Sequence, residues 1–182
     1  MRSKRGLLAL LPIAVSLGGC IDSGVDLSAG LPPAFPIADG IYISVSDPKS
    51  PPFKVVRSGS NYRAIDPTAP NGKGALFALI DLEHNGVFVA EDKTSAKDVN
   101  PPRYVYYFVR VTPSGDRVDL YDFTKEDWRL LPTDLKKRLK PGAAVTVVND
   151  SDTAAILGEL DRRLASRSSL KTTTFRLVRK LN

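Results

Sequence analysis

The chain has 182 residues, and its 26 Lys and Arg against 20 Asp and Glu give a formal net charge of +6. A hydrophobic content of 42% with 25% charged residues is typical of a globular protein rather than a disordered or fibrous one. The single Cys and single His exclude an internal disulfide, a Cys-based zinc site and multi-histidine metal centres. We therefore expect no metal site and no catalytic residues.

Residues 1–19 have the layout of a secretory signal peptide. Arg2, Lys4 and Arg5 form a positively charged start, and residues 6–17 follow without a single charge. As a helix these twelve residues would be about 18 Å long, and a bilayer core is about 30 Å thick. The run is thus too short for a permanent transmembrane helix.

The end of this segment, Leu17-Gly18-Gly19-Cys20, resembles the lipobox of bacterial lipoproteins. The resemblance implies cleavage between Gly19 and Cys20, diacylglycerol on the Cys20 thiol and an N-acyl chain on the new amino terminus. These covalent chains would be the only prosthetic group. The alternatives are an ordinary signal peptide that is cut elsewhere, or a buried helix with an incidental Cys.

Ile21, the residue after Cys20, bears on the location of the protein. In Gram-negative lipoproteins an Asp at this position commonly retains the protein in the inner membrane. By resemblance, Ile21 favours the inner leaflet of the outer membrane, with the protein facing the periplasm. The membrane would be the first partner, reached through the lipid anchor, since two or three acyl chains hold a protein stably.

Residues 20–39 are rich in Gly, Ser, Asp and Pro and show no sustained apolar periodicity. They indicate a lipidated Cys followed by a flexible tether. The alternative is that residues 31–36 pack onto the domain as an irregular arm. The domain organisation we expect is a signal peptide at 1–19, the tether at 20–39 and one domain at 40–182.

The first part of the domain shows strand signals in hairpin order. Apolar and β-branched runs are separated by turn sequences such as Ser58-Gly59-Ser60-Asn61, Asn85-Gly86 and Thr112-Pro113-Ser114-Gly115. The predicted strands are 41–46, 53–58, 62–66, 75–83, 87–91, 104–111 and 117–123. They indicate an antiparallel meander.

Helical signals follow. A capping box at Thr124–Asp127 begins one short helix, 133–140 forms a second, and Ser151 or Asp152 caps a longer one to about 166, flanked by strands at 144–148 and 172–180. Because residues 104–111 are apolar on both faces, they favour a strand that is covered on both sides. We expect an α+β fold: a curved antiparallel sheet of hairpins with two or three helices covering one face. Closure into a small barrel is the alternative. The overall plan loosely resembles small uncharacterised proteobacterial lipoproteins, which imply no activity.

Basic residues concentrate in the C-terminal third, where residues 121–182 hold 13 basic and 8 acidic residues. Such a patch is a candidate contact for lipid headgroups or other anionic envelope components, or for an acidic envelope protein. The solvated faces of two amphipathic helices are the alternative. The candidate residues are Lys136, Lys137, Arg138, Lys140, Arg162, Arg163 and Arg167.

The sequence thus favours a non-enzymatic, lipid-anchored, periplasm-facing binding or assembly module that does not bind nucleic acid. One alternative is a barrel-like carrier of a lipid or small apolar ligand. The other is an envelope hydrolase that uses Asp81 and Glu83. His84 is expected to be an exposed turn residue without a catalytic partner.

Overall fold

The computed structural model describes residues 20–66, 74–84, 86–93, 102–121, 132–141, 145–148, 150–165 and 172–181. Eight antiparallel strands close into a barrel, and three short strands extend its sheet on one side. The barrel strands are β2 (Gly40–Ser44), β3 (Phe53–Ser58), β4 (Asn61–Ile65), β5 (Gly74–His84), β6 (Val87–Asp92), β7 (Tyr104–Val111), β8 (Arg117–Tyr121) and β11 (Thr172–Lys180). The remaining elements are β1 (Cys20–Ser23), β9 (Leu139–Pro141), β10 (Val145–Val148), α1 (Thr133–Lys136), α2 (Thr153–Ala165) and 3₁₀ turns at Leu27–Gly30 and Asp150–Asp152.

Strands β2 to β8 form an up-and-down meander, in which β6 pairs with β7 over six residue pairs that begin with Val87 opposite Arg110. Two long-range pairings, both made by β11, close the meander. β11 returns after α2 and inserts between β8 and β2, with Phe175 opposite both Val118 and Ser44. Each barrel strand therefore has a neighbour on both sides, which removes the exposed sheet edges.

The predicted α+β fold, a curved sheet with two or three covering helices, is wrong. The molecule is mainly a closed eight-stranded antiparallel barrel, and the two helices among the described residues have 4 and 13 residues. The strand positions were predicted closely, but their closure depends on β11, whose partners lie more than 50 residues away in the chain. The predicted helix after Thr124 lies outside the described residues.

Two hydrophobic cores share the wall formed by β5, β6 and β7. Along β7, Val109 and Val111 point into the barrel, while Tyr106 and Phe108 point outward. The outer core is covered by α2, whose Ile156, Leu157 and Leu160 are at most 2% exposed. β7 is thus covered on both faces, as its apolar sequence indicated.

The N-terminal arm (residues 20–39), for which the sequence predicted a tether, lies against the barrel in this structure. β1 pairs with β7 and with β10, and Ile21 is fully buried in the outer core. The chain then passes through the 3₁₀ turn and crosses to one end of the barrel, where Ile37 is buried among the interior residues. Two contacts near β1 hold the start of the arm: Arg103 Nε lies 2.5 Å from Asp22 Oδ1, and Ser23 Oγ lies 2.5 Å from Thr153 Oγ1.

Candidate functional site

The barrel interior is filled by the protein's own aromatic side chains. Ring centroids are 6.0 Å apart for Tyr42 and Phe53, 5.2 Å for Phe53 and Phe175, and 5.4 Å for Tyr62 and Phe77. Separations of this size are those of favourable stacked and edge-to-face pairs. The interior of the described barrel is therefore a packed core along this row of rings.

The N-terminal arm closes one end of the barrel through two buried tyrosines. The Tyr62 hydroxyl accepts a hydrogen bond from the Ile37 amide and donates to the Ile37 carbonyl oxygen, both at 3.0 Å. The Tyr42 hydroxyl lies 2.8 Å from the Ala38 carbonyl oxygen and 2.7 Å from that of Gly115. Burial raises the pKa of Tyr62 to about 12 and raises that of Tyr42 further, so both remain neutral hydrogen-bonding groups at physiological pH.

A cleft of about 380 Å³ lies on the outside of this closed end. The Arg57 guanidinium stands 5.1 Å from the centre of the Phe35 ring and 3.7 Å from the Asp39 carboxylate. The cleft therefore combines an aromatic surface with charges of both signs. It is lined by Phe35, Pro36, Ile37, Ala38, Asp39, Arg57, Ser114, Lys180 and Leu181.

A largely buried ionic cluster joins the arm to β6 and β7. We call it the arm clasp, and it consists of Asp26, Ser28, Glu91, Lys93 and Tyr106. Glu91 is fully buried on β6, and its carboxylate accepts hydrogen bonds from the Ser28 amide at 3.1 Å and the Ser28 hydroxyl at 2.9 Å. Lys93 Nζ lies 3.1 Å from Glu91 and 2.8 Å from Asp26. The Tyr106 hydroxyl lies 3.2 Å from Glu91 and also bonds to the Val25 carbonyl oxygen.

The electrostatics of the arm clasp favour its charged form. Burial alone would raise the pKa of Asp26, but its hydrogen bonds, chiefly with Lys93, lower it below its usual value. Burial alone would lower the pKa of Lys93, and the hydrogen bonds with Asp26 and Glu91 raise it instead. The pair therefore stabilises the fold fully between about pH 4 and pH 10, and the stabilisation is lost as Asp26 protonates in acid or Lys93 deprotonates in alkali.

The structure places the sequence-predicted residues in different surroundings. Cys20 begins β1, opposite Val145. In the predicted basic patch, Arg138 Nη1 lies 3.0 Å from Asp152 Oδ1, and Arg162 forms an ion pair with Glu159. Lys136 and Lys137 are exposed around the end of α1. The side chains of Lys140 and Arg163, and all of Arg167, lie outside what the structure describes.

The residues of the carboxylate hypothesis are only partly described. Asp81 is exposed on β5, whereas the side chains of Glu83 and His84 lie outside the described set. Across the described ranges, no group of three or more His, Cys, Asp or Glu is arranged to hold a metal ion. No described helix is long and apolar enough to cross a membrane.

Sequence reasoning missed the arm clasp. A signal was present, because Glu91 lies in a strand directly after Val87–Ala90, which are apolar on both faces. An acid that is buried in such a strand requires a partner. The sequence could not identify that partner, because Asp26 and Ser28 lie more than 60 residues away within the presumed tether.

No protein family, curated protein or solved structure matches this chain.

Proposed function

We propose that this protein is a lipid-anchored, periplasm-facing envelope protein with a non-enzymatic binding or assembly role. The observation that carries the proposal is the sequence of residues 1–20, in which a basic start, a short apolar run and Leu17-Gly18-Gly19-Cys20 occur in the order of a lipoprotein signal. Ile21 favours the outer membrane by the same resemblance.

The position of Cys20 gives this anchor a structural consequence. Cys20 is the first residue of β1, and the next residue is fully buried in the outer core. Acyl chains on Cys20 would therefore attach directly to the folded sheet rather than to the end of a long linker. The barrel would lie at the membrane surface, and its partners would be found there.

The described ionisable groups are consistent with a binding role. The carboxylates of the arm clasp are engaged with Lys93, Ser28 and Tyr106. The cleft at the closed end has a size and a mixed chemistry that suit a ligand, since it offers Arg57, Lys180 and the Phe35 ring. We therefore assign binding to this end of the barrel and propose no catalytic step.

The anchor is tested by replacing Cys20 with Ser in the full-length protein and labelling the cells with palmitate. We expect the wild type to incorporate label and to appear in the membrane fraction as the processed form, because the thiol is the acylated group. Cys20→Ser should give an unlabelled, uncleaved precursor. Equal labelling of the two proteins would contradict the proposal.

The closed barrel favours a second candidate function, a carrier of a lipid or small apolar ligand. Against it, the aromatic rings described above occupy the interior, so that a ligand would have to displace Tyr42, Tyr62 or their neighbours. Native mass spectrometry of the unlipidated mature chain (residues 20–182 with Cys20→Ser), purified without detergent, distinguishes the two functions. The anchored binding module should show only the mass of the protein, whereas a reproducible additional mass would favour the carrier.

A further inference from the structure

The helices that the structure describes lie against one half of the barrel and do not cover the outer face of the other half. α2 packs against β5 and β6, on the covered half. We call the outward residues of β8, β11, β2, β3 and β4 the barrel wall. Its outward positions alternate with the buried interior ones, so that Ile41 and Ile43 point outward on either side of Tyr42. Val45 and Val178 are about half exposed.

Cross-strand pairing arranges the barrel wall in mixed rows of cations and aliphatic side chains. One row runs from Arg179 through Ile41 to Lys54. A second runs from Arg117 through Arg176 to Ile43. Because directly paired residues of an antiparallel sheet share a face, each aliphatic residue of β2 lies beside at least one basic neighbour.

The charge of the barrel wall is mostly uncompensated. Among the described residues, Lys54, Arg63, Arg176 and Arg179 make no ion pair, and Asp119 is the acidic residue on the outward face of these strands. Asp119 is already engaged, 3.0 Å from Arg117 and 2.7 Å from the Thr174 hydroxyl. Arg117 and Arg176 stand directly opposite each other, an arrangement of like charges that destabilises a sheet unless an anion relieves it.

The presumed anchor lies at the border of the same surface. β8 and β1 pair one after the other with the same edge of β7. β8 ends with Tyr121 opposite Phe108, and β1 continues beyond it with Ile21 opposite Tyr106. Cys20, the first residue of β1, therefore lies beside the end of β8. This step rests on the proposed function, because it concerns the membrane only when Cys20 carries the lipid.

We propose that the barrel wall is a docking surface for an anionic phospholipid membrane. The barrel would lie on its side, with Ile41 and Ile43 of β2 and the adjoining Val45 at the centre of contact. The cations on the two neighbouring strands would lie beside lipid phosphates. The wall is convex because the sheet is closed, and a convex surface suits a deformable headgroup layer. Arg and Lys can extend their charged ends to phosphate while their alkyl stems cover the aliphatic residues.

The test measures binding of the unlipidated mature chain (residues 20–182 with Cys20→Ser) to vesicles, so that no acyl chain contributes. We expect binding to vesicles containing phosphatidylglycerol, weak binding to phosphatidylcholine alone, and release by salt. Removing two wall charges with Arg176→Gln and Arg179→Gln should lower the partition coefficient on the order of tenfold. The matched control, Lys136→Gln with Lys137→Gln on and after α1, should change it less than about twofold.

A contact probe locates the surface independently of charge. An environment-sensitive fluorophore at Ile43→Cys should shift to the blue on vesicles containing phosphatidylglycerol, whereas the same fluorophore at exposed Ala155→Cys on α2 should not. Equal losses of binding for the wall and control pairs, or a shift at position 155 and none at 43, would overturn the proposal. Absence of vesicle binding by the parent chain would also overturn it. Palmitate labelling tests the anchor separately, so either claim can fail alone.

Discussion

Glu91 shows how one buried carboxylate fixes the course of a distant part of the chain. The side chain has no exposed surface, and both oxygens accept hydrogen bonds, from Ser28, Tyr106 and Lys93. A buried carboxylate without such partners would cost several kcal/mol, so the barrel is most stable when the arm is in place. The arm clasp thus couples residues 26–28 to β6.

Removing the cation of the arm clasp should destabilise the fold. We expect Lys93→Met to lower the free energy of unfolding by about 3 kcal/mol, because it leaves Asp26 and the fully buried Glu91 without their shared counterion. Urea denaturation measures the loss. Lys49→Met in the exposed 45–52 loop is the control and should change the stability by less than about 0.5 kcal/mol. Similar losses for the two variants would show that the arm clasp contributes nothing specific.

At this scale the sequence predicts residue environments better than residue partners. The outward–inward alternation of Lys54, Arg63 and Arg176 can be read from the strands that contain them. The sequence does not show that these residues share one wall, because this requires β11 to pair with β2. The C-terminal basic cluster is obvious in the sequence, yet two of its members, Arg138 and Arg162, are neutralised by nearby acids.

At the scale of elements, the turn between β7 and β8 is shaped to receive the arm. Gly115 has φ of +71°, and a Cβ at this position would lie 2.4 Å from the Pro36 carbonyl oxygen and 2.9 Å from the Ala38 amide nitrogen. The Ala38 amide in turn donates a hydrogen bond to the Gly115 carbonyl oxygen at 3.1 Å. The turn and the arm therefore close this end of the barrel together.

Substitution of Gly115 should displace the arm. Gly115→Ala combines an unfavourable φ with a steric clash against the arm backbone, and we expect it to lower the free energy of unfolding by more than about 2 kcal/mol and to speed exchange of the Ile37 amide. Gly59→Ala is the matched control, since Gly59 has φ of +63° and open space around the Cβ position. It should cost about 1 kcal/mol and leave Ile37 protected. If both variants lost the same stability with unchanged exchange, the arm would not pack against this turn.

Most elements were predictable from their own sequence patterns, including β10 and β11, but the distant pairings of these strands were not. Gly86 adopts a positive φ, as the Asn85-Gly86 sequence indicated, and so do Gly59 and Gly115. The hairpins that these turns join have nearly the predicted bounds. β1 was missed because its four residues, CIDS, carry no strand pattern and depend on pairing with β7 and β10. The start of β9 was assigned to the predicted helix 133–140, which in the structure ends at Lys136.

At the scale of the whole molecule, closure of the barrel is the property that the sequence left open. Each hairpin has the same local sequence pattern in an open sheet and in a barrel, so the fold class depended on where β11 pairs. Its insertion between β8 and β2 closes the meander into a barrel. The described helices lie on one side of this barrel, and the barrel wall lies on the other. The α+β prediction was wrong because it did not include the pairing of β11 with β8 and β2.

In the whole molecule, the proposed anchor and the proposed docking surface lie next to each other. Cys20 lies beside the end of β8, at one border of the barrel wall. From there the arm runs to the closed end of the barrel, where the cleft lies. In this arrangement the membrane would hold the molecule by its lipid and by its cationic face.

The most direct test of the account is the intact mass of the protein isolated from the membranes of the cells that produce it. We predict a chain that begins at Cys20 and carries the added mass of a diacylglycerol and an N-acyl chain. A freely soluble chain with an unmodified Cys20 thiol would contradict the central claim.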